Sequence, residues 1–189
     1  MKLKTNLVVG VLFLALLGFV YFYEIRGGAR REEAAAQAKT LLSLGDAEVQ
    51  GLVIERRDTT VVLRQEGGEW VLTTPVADRA DGEAVRRYLQ ALKETERERV
   101  IADSATMAGD PGLVAKYGLA RPRLRVFAAT AEGSRDTVCF GADTPTDQFT
   151  YVQVRGRNPE VVAVRAWRFD NLDKGPFDLR DRRLMAFET

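Results

Sequence analysis

Residues 7–23, LVVGVLFLALLGFVYFY, hold no charged and no strongly polar side chain, and no other stretch of the chain approaches that apolar density. As a helix these residues rise roughly 26 Å at about 1.5 Å each, close to a hydrocarbon core about 30 Å thick. The reading is a transmembrane helix over residues 7–25. Leu7, Phe13 and Leu17 anchor it in lipid, and Tyr21, Phe22 and Tyr23 suit the headgroup belt where amphipathic rings settle. Gly10 and Gly18, eight apart on a surface free of polar groups, offer a face for packing against another helix. Lys2 and Lys4 precede the run with no acid beside them; Glu24, Glu32 and Glu33 come after it together with Arg26, Arg30 and Arg31. Cations on both sides leave the positive-inside rule undecided, and the short acid-free tail, residues 1–6, is assigned to the cytoplasm. A cleaved signal peptide is the alternative; it lacks an A-x-A-like site directly after the run, with Gly27-Gly28-Ala29 a weak substitute. No cysteine stands directly after the run, which excludes a lipoprotein anchor.

Composition then narrows the chemistry open to the residues beyond the apolar run. The whole chain has 28 basic and 27 acidic residues. With Lys2 and Lys4 set aside, 26 basic face 27 acidic residues and the remainder carries −1. Phosphate-backbone binding needs a basic surplus, so nucleic acid is not expected as a partner. There is no histidine, which removes the commonest general base and metal ligand, and with it Ser-His-Asp and Cys-His catalysis. Cys139 is the single cysteine, so no intrachain disulfide or multi-cysteine metal site can form. No cofactor, metal or catalytic residue is expected.

Residues 26–45 are expected as a helical stalk: EEAAAQAKTLLSL is alanine-rich with acids first, and Gly45 stops it. From Glu48 the pattern changes to period two. Three strands are expected from Val49, Thr60 and Glu69, joined at Arg57-Asp58 and at Gln65-Glu66-Gly67-Gly68, with Pro75 ending the third. Trp70 reads as a core anchor of that sheet. Asp81 then caps a helix with Val85, Tyr88, Leu89 and Leu92 on one stripe, while its charged residues read as an ion-paired outer surface. This makes a first unit over residues 46–100. A second, β-rich unit over 101–189 holds a short helix near Gly112–Tyr117 stopped by Gly118. Strands over Arg123–Thr130, Thr137–Phe140, Thr150–Arg155 and Val161–Val164 come next, and a helix at Trp167–Leu172. The fold class is α+β: antiparallel β meanders, as two sheets or one bent sheet, with an amphipathic helix packed on one face.

Three segments invite chemistry. Gly141-Ala142-Asp143-Thr144-Pro145 is a small-residue turn with an acid that can cradle an ion, but it lacks the lysine and glycine spacing of a phosphate loop, and a structural connection is the simpler use. Asp170–Gly175 fails the calcium-loop template at Leu172 and lacks a closing glutamate. Asp178 to Arg183 is a dense charge run. Arg–Asp pairs pinning a chain reversal explain it most simply, with Arg180, Asp181, Arg182 and Arg183 as a partner-docking patch second. Cys139, between Val138 and Phe140, reads as a small buried hydrophobe.

The ordered segments LLSLGDAEVQGLVIER, EWVLTTPV with ADRADGEAVRRYLQAL, KYGLARPRLRV, CFGADTP and LDKGPFDLRDRRL resemble the bacterial family of domain of unknown function 4340. Tyr117-Gly118-Leu119 to Pro122 and Leu179 to Arg183 carry its most specific steps. The resemblance implies a membrane-anchored envelope protein associated with ABC-type transport components of the gliding-motility auxiliary kind, and it carries no catalytic residues. RRLMAFET resembles the lead-in KTLLSLGD, as in relatives that continue into a second copy of the module. The expected function is that of a non-enzymatic, single-pass accessory subunit of a membrane complex. It would sit in the bacterial inner membrane with its α+β module in the periplasm, and its partners would be integral membrane proteins and lipid. The alternative is a periplasmic module that binds a glycan or lipid, which requires a concave apolar pocket.

Overall fold

Alternating apolar and polar residues from Val49 onward build, among the described residues, one antiparallel sheet of nine strands. These are β1 (Val49–Arg56), β2 (Thr60–Glu66), β3 (Glu69–Thr74), β4 (Asp78–Arg79), β5 (Arg99–Ala102), β6 (Leu124–Thr130), β7 (Arg135–Asp143), β8 (Phe149–Arg155) and β9 (Glu160–Arg165). The helices are α1 (Gly82–Lys93), α2 (Ser104–Gly109), α3 (Leu113–Lys116), α4 (Ala166–Leu172) and α5 (Pro176–Leu179). The computed structural model describes residues 39–42, 49–130, 135–155 and 159–182. The expected transmembrane helix with Leu7, Gly10, Phe13, Leu17, Gly18, Tyr21, Phe22 and Tyr23 lies outside them, as do most of the stalk and Arg183. No helix of the described residues is long and apolar enough to cross a membrane.

The strand order is β4-β3-β2-β1-β6-β7-β8-β9-β5. Two meanders, β1–β4 and β6–β9, are therefore fused through the β1–β6 ladder, where Val53 faces Phe127 and Ile54 faces Val126. Of the two expected arrangements, the single sheet is the one formed. The β1–β6 ladder joins strands from the two units expected over residues 46–100 and 101–189 in that one sheet.

This order dictates what α1 does. Consecutive strands β4 and β5 end up at opposite edges of the sheet, eight strand spacings or roughly 38 Å apart along a flat path. The chain must cross a whole face to connect them, and α1, about 18 Å long, is the crossing element. The Asp81 carboxylate caps it, accepting from the amides of Glu83 at 2.9 Å and Ala84 at 3.2 Å. Val85, Tyr88 and Leu92 turn inward with 0–3% exposure, and Leu89 packs beside them half-buried. Burying three such side chains contributes roughly 5–9 kcal/mol before ordering entropy is counted.

The face beneath α1 is a continuous core. Leu52, Ile54, Leu63, Leu72, Val126, Phe140, Val152 and Val164 meet α1, Leu172 of α4 and Leu179 of α5. Leu41 and Leu42, just before the strands, are also buried in it, held by Leu41 N–H donating to Thr95 O at 3.1 Å. Trp70 packs at its margin. On the opposite face a second, smaller core covers only one end: α2 and α3 bring Met107, Leu113 and Val114 over Ala102, Leu119, Cys139 and Val161. The helix near Gly112 was expected from sequence. Helix α2 was not, since SATMAG looks polar, but the Asp103 carboxylate caps it at Thr106 N, 2.8 Å away. Two hydrogen bonds from Thr106 hold that carboxyl below its usual range.

Candidate functional site

The outer face of the sheet is covered at one end only. Over β2, β1 and β6 no described helix lies on it. Strand alternation puts Val62, Val53, Phe127 and Thr137 in one row straight across β2-β1-β6-β7, and Arg64, Gly51 and Ala129 in the next. These side chains are half-buried or exposed rather than packed. Gly51 has no side chain and faces Ala129, so the second row is low beside Phe127. A trough of about 870 Å³ results, floored by apolar side chains and edged by Arg64, Gln65 and Glu66. The Glu55–Arg125 ion pair, 3.4 Å apart, stands in the row that separates this open end from the covered one. One tooth of that pair is unsatisfied: Arg125 Nε is buried without a partner. Sequence reasoning missed the trough because alternation alone gives two faces per strand; which face a helix covers is set by connections far away in the chain.

At the covered end the small-residue turn has a structural use. Asp143 receives Arg123 in a two-pronged pair, Nη2 to Oδ1 at 2.6 Å and Nη1 to Oδ2 at 2.9 Å, and the fully buried Thr150 hydroxyl donates to Oδ1. Arg123 also donates Nε to the Gly141 carbonyl at 2.7 Å and lies 4.3 Å over the Phe169 ring. Burial pushes the Asp143 carboxyl upward, but the hydrogen bonds from Arg123 and Thr150 and the Arg123 charge outweigh it and hold the group below its usual range. The β7–β8 register shifts between Phe140 and Asp143. There the Ala142 amide donates to Tyr117 O at 2.9 Å, and a Cβ at Gly141 would overlap that carbonyl. Gly118, at φ +71°, makes the matching turn after α3, and Tyr117 stacks on Tyr151 at 4.4 Å between ring centres. The Asp143 carboxylate is thus engaged on both oxygens.

The other candidate residues are also engaged. Arg180 Nε sits 3.0 Å from Asp78, the Asp181 amide donates to Arg79 O at 2.9 Å, and Arg182 donates twice to Phe177 O at 3.0 and 2.7 Å. The first two contacts pin residues 180–181 against β4, while the Arg182 bonds close back on α5; Arg180 and Arg182 remain exposed. None of them lines the trough. Asp173 pairs with Arg56 at 2.7 Å. Cys139 is buried, and desolvation raises its thiol pKa despite the opposing charges of Arg155 and Arg125. Arg97, expected on a solvated helix surface, instead lies beyond α1, half-buried, joining Glu160 at 2.6 Å and the Thr40 carbonyl at 3.0 Å. Among the described residues no group of three or more Cys, Asp or Glu is placed to hold a metal ion.

The chain belongs to the family described as a domain of unknown function (DUF4340), whose model matches residues 70–189. No curated protein and no solved structure matches the chain. The matched segment begins at Trp70 in β3, so Val53 and Val62 of the trough precede it while Phe127, Ala129 and Thr137 fall within it.

Proposed function

We propose that the protein is a non-enzymatic, single-pass membrane protein whose α+β module serves as an accessory or structural subunit of an envelope complex, with ABC-type transport components as partners. In this reading residues 7–25 cross the bacterial inner membrane and the module works in the periplasm. One observation carries it: the uncovered outer face, where Val53, Val62, Phe127 and Ala129 form an apolar strip across the sheet that no described element covers. An open sheet face of this kind suits a protein partner that completes its burial. The exposed Arg180 and Arg182 offer a polar contact away from that strip, and Gly10 and Gly18 a helix-packing surface within the bilayer.

The test is co-purification after mild detergent extraction of cells making the tagged full chain. Wild type is expected to bring down a defined membrane complex. Phe127→Glu, which puts a charge in the trough, is expected to lose it at unchanged melting temperature. Recovery of the wild-type chain alone overturns the proposal. Deletion of residues 1–26 separates the surfaces: persistence of the complex places the contact on the module, and its loss places it on the anchor.

A second reading has its own observation. The trough is concave, and its volume lies in the range of ligand sites, which favours a lipid or glycan ligand on the same face. Saturable binding of a lipid or oligosaccharide by the chain purified to homogeneity would favour it over the accessory reading.

A further inference from the structure

A cleft of about 380 Å³ opens between α1 and the α4–α5 segment, on the far side of α1 from the trough's face of the sheet. Ala84, Arg87, Tyr88 and Ala91 form its α1 wall; they are three and four residues apart and share one helix surface. The two alanines leave the space that larger side chains would fill. Asn171, Lys174 and Asp178 form the other wall. Asp178 is already engaged, its Oδ2 accepting the Gly175 amide at 2.9 Å.

The donors around the cleft are not engaged in that way. Among the described residues neither the Arg87 guanidinium nor the Asn171 amide has a hydrogen-bond or ion-pair partner, and the half-buried Lys174 ammonium meets only the Asp170 carbonyl, at 3.0 Å. Tyr88 is 3% exposed and its hydroxyl has no partner. Burial, with the nearby Asp173 charge, raises that phenol well above its ordinary pKa, so it stays a protonated donor. Arg87 also borders a neighbouring recess lined by Arg180 and Arg182 together with Asp81, Asp178 and Asp181, so the charges there balance and the cleft's own donors must do the holding. Two cations, an amide and a phenol therefore surround one space, with the Asp178 carboxylate, already bound to the Gly175 amide, the one acid in its wall. A carboxylate would present two oxygens in one plane to donors arriving from both walls and the floor. A phosphoryl group presents three oxygens in different directions and meets them better.

We propose that this cleft is a phosphate-binding subsite, holding a phosphoryl group between Arg87 and Lys174 with Asn171 and Tyr88 as further donors. The phosphoryl group comes either from a soluble phosphomonoester or from the phosphodiester of a lipid headgroup.

The experiment uses the full chain in a nonionic detergent at fixed ionic strength. The 31P line width of inorganic phosphate, glycerol 3-phosphate and glycerophosphoglycerol is followed as protein is added. Saturable broadening is expected for wild type. Arg87→Ala and Lys174→Ala are each expected to weaken binding about tenfold, as for loss of one charge-assisted contact. Tyr88→Phe is expected to weaken it severalfold with the melting curve retained. Arg86→Ala, whose parent side chain pairs with Glu83 away from the cleft, is expected to bind like wild type. Binding of the two monoester-type probes without the diester supports a soluble source; equal or tighter binding of the diester supports a lipid headgroup. Absence of saturable broadening for all three probes overturns the proposal. So does an Arg86→Ala loss equal to that of Arg87→Ala, which would reduce the effect to general surface charge.

Discussion

Replacing Asp143 tests whether the small-residue turn is structural, and the geometry sets the size of the effect. Asp143→Ala leaves the Thr150 hydroxyl buried at 0% exposure with no acceptor, which costs about 1–3 kcal/mol. It also breaks the two-pronged Arg123 pair, whose side chains are 27% and 34% exposed. Pairs at a free surface contribute about 0–1 kcal/mol and fully buried ones lose about 3–5 when one partner is removed, so this half-exposed pair falls near 1–2. Arg123 keeps its bond to Gly141 O and its place over Phe169, which limits the loss. The expected total is about 2–4 kcal/mol. Urea unfolding of the full chain in nonionic detergent, followed by the fluorescence of Trp70 and Trp167, measures it. Thr150→Val removes the donor that the first change strands, so the double variant should recover about 1–2 kcal/mol relative to additivity. Acid titration adds an independent limb. The Asp143 pKa is depressed in the fold, so its contribution is present above the ordinary carboxylate value of about 3.9 and is lost as pH falls through the lower folded value. The gap between wild type and Asp143→Asn should therefore hold steady above about pH 4 and shrink below it. A cost under about 0.5 kcal/mol for Asp143→Ala, with no coupling to Thr150, would refute the structural assignment and return the turn to the candidates for ion binding.

Gly118→Ala places a side chain at φ +71° with its Cβ 2.8 Å from the Ala142 amide nitrogen, so it should cost at least about 1–2 kcal/mol of backbone strain in a thermal melt. Cys139 should resist alkylation in the folded protein, because its thiol is buried and its pKa is raised by desolvation; labelling at the rate of an exposed cysteine under native conditions would contradict the packing of the second core.

Much of the local structure was legible in the sequence because it is written in short-range terms. The alternation from Val49, the Gly67-Gly68 turn, the Asp81 cap and the Val85, Tyr88, Leu92 stripe each depend on residues within a few positions of one another, and each forms where the local pattern puts it. Helix α2 was missed because its stability rests on the Asp103 cap and packing of Met107 rather than on an apolar stripe. Sheet assembly is a different matter. Nothing near Val53 says that it will face Phe127, far along the chain, and so the choice between two sheets and one stayed open. The trough and the α1 cleft inherit that difficulty: both are gaps left between elements remote in sequence. The one signal that pointed to either was the pair of small residues Ala84 and Ala91, which sit among larger side chains on an otherwise filled helix surface.

The burial of Leu41 and Leu42 has a mechanical consequence. A pull transmitted from the residue 39 side reaches Thr40 first, and Thr40 is bridged to Glu96 and accepts from Arg97. The load then falls on two leucines seated in the main core and on the segment that links α1 to β5, rather than peeling β1 away from its neighbours one hydrogen bond at a time. Contacts at this point would have to slide together before the sheet opens. The entry to the module therefore works as a shear clamp, and in single-molecule stretching Leu41→Ala with Leu42→Ala should lower the unfolding force more than an equally destabilising change deep in β3, such as Leu72→Ala.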